Sequence, residues 1–127
     1  MIYVYVMLGG ALGTLARFLL STFVATHIGE TFPWGTLIIN VTGSFAIGFF
    51  GALTDPDGML LVRPEARTFF MVGICGGYTT FSSFSLQTLR LAQGGQWLSA
   101  GANILASNAG CLLAVWLGQV CATSIRR

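Results

Sequence analysis

The chain has 127 residues, of which 54% are apolar and only 8% charged, against about 25% charged in an ordinary soluble domain. So few charges cannot clothe a water-facing surface, and a net charge of +2, with arginine as the only base beside one histidine, gives no nucleic-acid footprint. A soluble domain and a nucleic-acid binder are both excluded; an all-α membrane protein, with the lipid bilayer as its surroundings, is what remains.

Four stretches reach the roughly 20 residues that cross a bilayer as helix: about 2–25, 34–53, 68–91 and 97–123. Short connections leave no room for anything beyond a single four-span membrane domain, 1–127. No basic region precedes the first apolar run, so it reads as a retained span and not as a cleaved secretory signal. Gly9 and Gly13 lie four apart in it, the spacing that lets membrane helices approach closely. Its one charge, Arg17, falls late in the span. Two readings stand: snorkelling to the headgroups, or a fixed positive charge at a vestibule that focuses an anion. His27 falls in the loop that follows and reads as solvated.

The second span opens with Trp34, a ring suited to the headgroup layer. Thr36, Asn40 and Ser44 recur at fours and share one face. They either bond neighbouring helices or line a polar path. Ser44 and Gly48 repeat the small-residue spacing. A turn at Asp55-Pro56-Asp57-Gly58 follows. With the N-terminus inside, Arg63, Arg67, Arg126 and Arg127 would be cytoplasmic, against Arg17 and Arg90 outside. That bias is too small to force one orientation on every copy.

The third span carries Gly76-Gly77-Tyr78-Thr79-Thr80-Phe81-Ser82-Ser83-Phe84-Ser85 near its centre. Paired glycines, about 1 kcal/mol each worse than Ala in a helix, followed by paired β-branched threonines predict a break. Non-helical backbone at that depth must be buried in protein or face a wet cavity, and its freed carbonyls are hard ligands for a cation such as sodium. Phe81 and Phe84, three apart, share a face. They pack against a neighbour, or present positive ring edges to a small anion.

The fourth span begins at Trp97 after Gly94-Gly95 and places Ser99, Asn103, Ser107 and Cys111 on one stripe. Asn108 lies off that stripe, placed to bond another helix, and Ala106 with Gly110 repeats the small-residue spacing. Cys75, Cys111 and Cys121 match neither a disulfide framework nor a zinc spacing and read as small buried hydrophobes. All four carboxylates, Glu30, Asp55, Asp57 and Glu65, are expected in loops, and no span holds a histidine. Proton-coupled export, a Ser/His hydrolase and a metallohydrolase therefore lack parts, and no enzyme is expected. Four spans enclose little protein, so a path calls for a second copy.

The stretch at 73–85, Gly-Ile-Cys-Gly-Gly-Tyr-Thr-Thr-Phe-Ser-Ser-Phe-Ser, closely resembles the third-span signature of the small bacterial fluoride channels, the CrcB or Fluc family. The likeness extends through Gly-Gly-Ala-Leu-Gly-Thr-Leu-Ala-Arg at 9–17, Trp-Gly-Thr-Leu-Ile-Ile-Asn-Val-Thr-Gly at 34–43 and Leu-Ala-Val-Trp-Leu-Gly at 113–118. The resemblance implies a multi-pass protein of the bacterial inner membrane, a dual-topology antiparallel homodimer with two passages for fluoride. It places Phe81, Phe84 and Asn40 on the pathway, with Ser107 on a hydroxyl track, and Arg17 as a vestibule charge. Thr36, Ser82 and Ser83 join the path as neutral donors. The carbonyls of Gly76 and Thr79, from both copies, would hold a structural sodium ion at the dimer interface. Where some relatives carry Tyr and Ser in the fourth span, this chain has Asn103 and Cys111, and where some carry a glutamate it has Gln87. Cys111 is the weaker donor. Two rivals are a small multidrug or guanidinium exporter, which depends on a first-span glutamate absent here, and a non-conducting subunit of a heterodimeric channel.

Overall fold

The computed structural model describes residues 1–125; Arg126 and Arg127, counted above in the charge bias, lie outside the described residues. Among the described residues, four helices are long and apolar enough to span a membrane. The first, α1, runs Ile2–His27, and α2 runs Trp34–Leu53. The third span, Pro64–Gln93, is composite. It comprises α3 (Pro64–Thr68), a π-helical segment (Phe69–Ile74), α4 (Cys75–Tyr78) and, beyond a break, α5 (Phe81–Gln93). The last span is α6, Trp97–Ile125.

Several boundaries differ from expectation for local reasons. The third span starts at Pro64, not near Thr68, because Arg63 is extended and Pro64 occupies the first turn, where a missing N–H costs nothing. Glu65 therefore sits in a helical first turn and not in a loop. His27 is likewise the last residue of α1; its Nδ1 donates to the Phe23 carbonyl at 2.9 Å and its ring stacks on Phe23. Arg67 closes the connection after α2, bonding Thr54 Oγ1 at 3.1 Å and Asp55 Oδ1 at 3.0 Å. The expected turn is present, with Gly58 N–H on the Asp55 carbonyl at 2.7 Å.

The packing is inverted relative to a soluble bundle. Buried positions are filled by small and polar residues, among them Thr36, Asn103, Ser107, Ala100 and Ala114, while Phe18, Leu105 and Leu112 face outward. Lipid is as apolar as leucine, so close packing and hydrogen bonds hold such helices together. A Cβ at Gly13 would collide with the carbonyl oxygen of Ile74, and one at Gly73 would come within 2.8 Å of Gly9 Cα. The paired glycines of spans one and three thus meet each other. Those of spans two and four do not meet as pairs: Gly48 abuts Val115, and Gly110 approaches Val41 at 3.2 Å. Gly118 lies against the Phe45 carbonyl as closely as Gly48 lies against that of Val115. Of the cysteines only Cys75 is buried; Cys111 is half-buried and Cys121 exposed, contrary to their expected burial. α2 lies along α6, and the third span changes partner midway, its first half on α1 and its second on α6.

Candidate functional site

The break in the third span falls at Thr79 and Thr80, both extended, with φ/ψ of −82°/157° and −152°/110°. Gly76 and Gly77, expected to share in the break, lie inside the short helix α4. The threonines can interrupt the helix because side chains take over part of its hydrogen bonding. Asn40 clamps the Thr80 peptide from both sides: its Nδ2 donates to the Thr80 carbonyl at 3.0 Å and its Oδ1 accepts the Thr80 N–H at 2.8 Å. Thr80 Oγ1 in turn accepts the Ser83 N–H at 3.2 Å and so caps α5, the usual duty of a threonine at a helix start. Arg17 Nε donates to the Gly77 carbonyl at 3.0 Å. That arginine is half-buried and ties the break to α1.

The carbonyls of Gly76 and Thr79 are among those the break leaves without a donor. In an unbroken helix the Thr80 N–H would go to Gly76 and the Ser83 N–H to Thr79, but both are diverted, to Asn40 and to Thr80 Oγ1. Gly76 is exposed, with nothing within 4 Å of where its Cβ would be. The donor set is right for a hard cation, though one protomer supplies only part of a coordination shell.

A groove of about 400 Å³ runs past these groups, lined among others by Asn40, Ser44, Gly76, Thr79, Phe84 and Ser107. Phe81 borders it too; its ring is 73% exposed whereas Phe84 is 8% exposed, and their centroids lie 5.2 Å apart. Cys111 and Asn108 also reach the groove. Asn108 does not bond another helix; its Nδ2 donates to the carbonyl of Ile104, one turn back, at 2.8 Å.

A second hollow, about 320 Å³, holds Arg17, Thr36, Ser83 and Gln87, with Thr80 again in its wall. Thr36 and Ser83 therefore part company with Asn40 and Ser44, although Thr36 shares their helical face. The Gln87 Oε1 is buried there without a partner. Ser82 borders neither space, its hydroxyl lying 3.3 Å from Thr80 Oγ1. The two hollows succeed one another along α2, Thr36 and Ile39 bordering one, Asn40 to Ile47 the other. Thr80, common to both, is the residue that sequence reasoning passed over; its signal was a threonine three residues before a serine at a helix start. Thr88 was passed over as well, and on pattern alone nothing distinguished it.

Comparison with known proteins bears directly on this arrangement. The family profile described as "CrcB-like protein, Camphor Resistance (CrcB)" matches residues 4–119. The chain is 62% identical over 125 residues to the "Fluoride-specific ion channel FluC" of Paramagnetospirillum magneticum, covering 98% of each. It is 57% identical over 124 residues to the protein of that name from Opitutus terrae, covering 98% of this chain and 94% of that one. A third, from Rhodospirillum rubrum, is 58% identical over 125 residues, with 98% and 97% covered.

Proposed function

We propose that this chain, which belongs to the CrcB family, is a fluoride-selective ion channel, not an enzyme, through which cytoplasmic fluoride leaves the cell passively. The observation that carries the reading is identity of 57–62% over nearly the whole length to proteins named as fluoride-specific channels. The groove supports it. Fluoride is strongly hydrated, so a passage must replace water with many weak donors, and bind loosely enough to release. One Asn40 amide hydrogen remains after the Thr80 clamp, and the Phe81 and Phe84 rings offer positive edges beside it. In this reading Asn40, Phe81, Phe84 and Ser107 line the passage. Thr36, Ser83 and Arg17 serve the adjoining hollow, where the guanidinium attracts the anion, and Ser82 acts only through its place beside Thr80.

The working form is an antiparallel homodimer in the bacterial plasma membrane. Supporting it is the lone protomer's open flank: an exposed Phe81, an exposed Gly76 and carbonyls at the break with no donor, those of Gly76 and Thr79 among them, which lipid cannot satisfy. Sodium would be held by the Gly76 and Thr79 carbonyls of both copies; bound there, it would supply positive charge and fix the two breaks against each other. The multidrug-exporter alternative finds no support, since no carboxylate lies deeper than the first turn of a span.

Liposomes carrying the purified chain and loaded with fluoride should release it rapidly while retaining chloride. Equal leakage of both ions, or none, defeats the proposal. Replacing sodium by a large organic cation should lower both the flux and the dimer fraction.

A further inference from the structure

We infer that Asn103 is a positioning residue for the groove, one that turns the Ser107 proton away from the passage; this rests on the fluoride-channel reading above. The argument is a count of protons along one chain of hydrogen bonds. Thr88 has a single hydroxyl proton and donates it to the Phe84 carbonyl at 2.7 Å. Its oxygen can then only accept, and the group facing it at 2.9 Å is the Asn103 Nδ2. The amide is thereby oriented with its NH₂ toward α5 and its carbonyl toward Ser107. An amide oxygen carries no proton, so Ser107 must be the donor in their 3.3 Å contact. Ser107, which borders the groove, is left offering it lone pairs.

An anion needs the opposite. Ser107 can serve fluoride only after its bond to Asn103 breaks, and 3.3 Å is long for a hydroxyl bond, whose usual span is about 2.7–2.8 Å. That length makes the bond breakable. Asn103 is 1% exposed, so no water stands by to reorient it. The chain starts at the carbonyl of Phe84 and ends at Ser107, two residues on the same groove. Asn103 therefore sets how costly it is for Ser107 to join in binding, without touching the ion.

Two substitutions should reverse the polarity by different routes. Asn103→Leu removes the acceptor, freeing the Ser107 proton for the passage. Thr88→Val removes the oxygen that dictates the amide's orientation, so the amide can turn and donate to Ser107, with the same result. A neutral hydrogen bond of ordinary strength corresponds to roughly a fivefold change in affinity. In liposome efflux, each variant should lower the half-saturating fluoride concentration on the order of fivefold, with chloride still retained. Placed on a Ser107→Ala background, neither should change it. The inference is overturned if half-saturation stays put in both variants, or if the shift persists without the Ser107 hydroxyl, which would mark a purely structural role. Should Asn103→Leu fail to assemble, the near-isosteric Thr88→Val decides alone. A wild-type chain that passes no fluoride would sink the channel reading first, and this inference with it.

Discussion

The two halves of the third span are built on opposite principles. The first half, Pro64 to Tyr78, is held by backbone proximity: Gly73 and Gly77 meet Gly9 and Gly10 of α1 so closely that no side chain fits between. The second half, Phe81 to Gln93, is held by directed hydrogen bonds, from Asn40 at its start to Asn103 on Thr88 further along. Contact of the first kind is indifferent to polarity and tolerates no added volume. Contact of the second kind leaves space, and both hollows border that half. The groove reaches back to Met71, Cys75 and Gly76 on the face of the first half turned from α1.

That contrast can be broken most severely at Gly13. Gly13→Val drives a branched side chain into the Ile74 carbonyl and should cost about 3 kcal/mol or more, seen as loss of monodisperse protein in detergent. Next comes Asn40→Ala, which orphans both backbone groups of Thr80, at ~1–3 kcal/mol for each. Fluoride efflux should drop at least tenfold and the melting temperature should fall. Efflux and stability both unchanged would show that the clamp is dispensable. Thr80→Val removes the cap on α5 for about 1 kcal/mol, a modest melting shift. Phe81→Ile should reduce flux with no loss of dimer, because the exposed ring contributes little to the protomer's own packing. Arg17→Gln is the mildest: the long side chain can still reach the Gly77 carbonyl, so the fold should hold. Its flux should fall below wild type at low salt, and the difference should shrink at high salt, where the charge is screened.

The four spans were legible because lipid imposes a length and a hydropathy that any window of residues reveals. The presence of a break and its neighbourhood were legible too, but not that the threonines alone would carry it. Gly76 and Gly77 are the weaker helix formers, yet they stay helical: α1 packs against Gly77, and Arg17 donates to the Gly77 carbonyl. The break moved to where distant groups could satisfy it, and Asn40 is 40 residues away in sequence. Spacing by fours grouped Thr36 with Asn40 and Ser44, but it could not reveal that they border different hollows, with Thr80 lining both. The π-helical turn at Phe69–Ile74 left no mark in the pattern of residues. Proton direction along Thr88, Asn103 and Ser107 is another such property: it belongs to the assembled chain of bonds and to none of its members.

Thr80 lines both hollows, which follow each other along α2. If electrolyte fills both, the insulating layer there shrinks from the full hydrocarbon depth to what separates them at Thr80. The membrane voltage, worth about 2.3 kcal/mol per unit charge per 100 mV, would then drop almost wholly across that stretch, leaving the rest of the route nearly field-free.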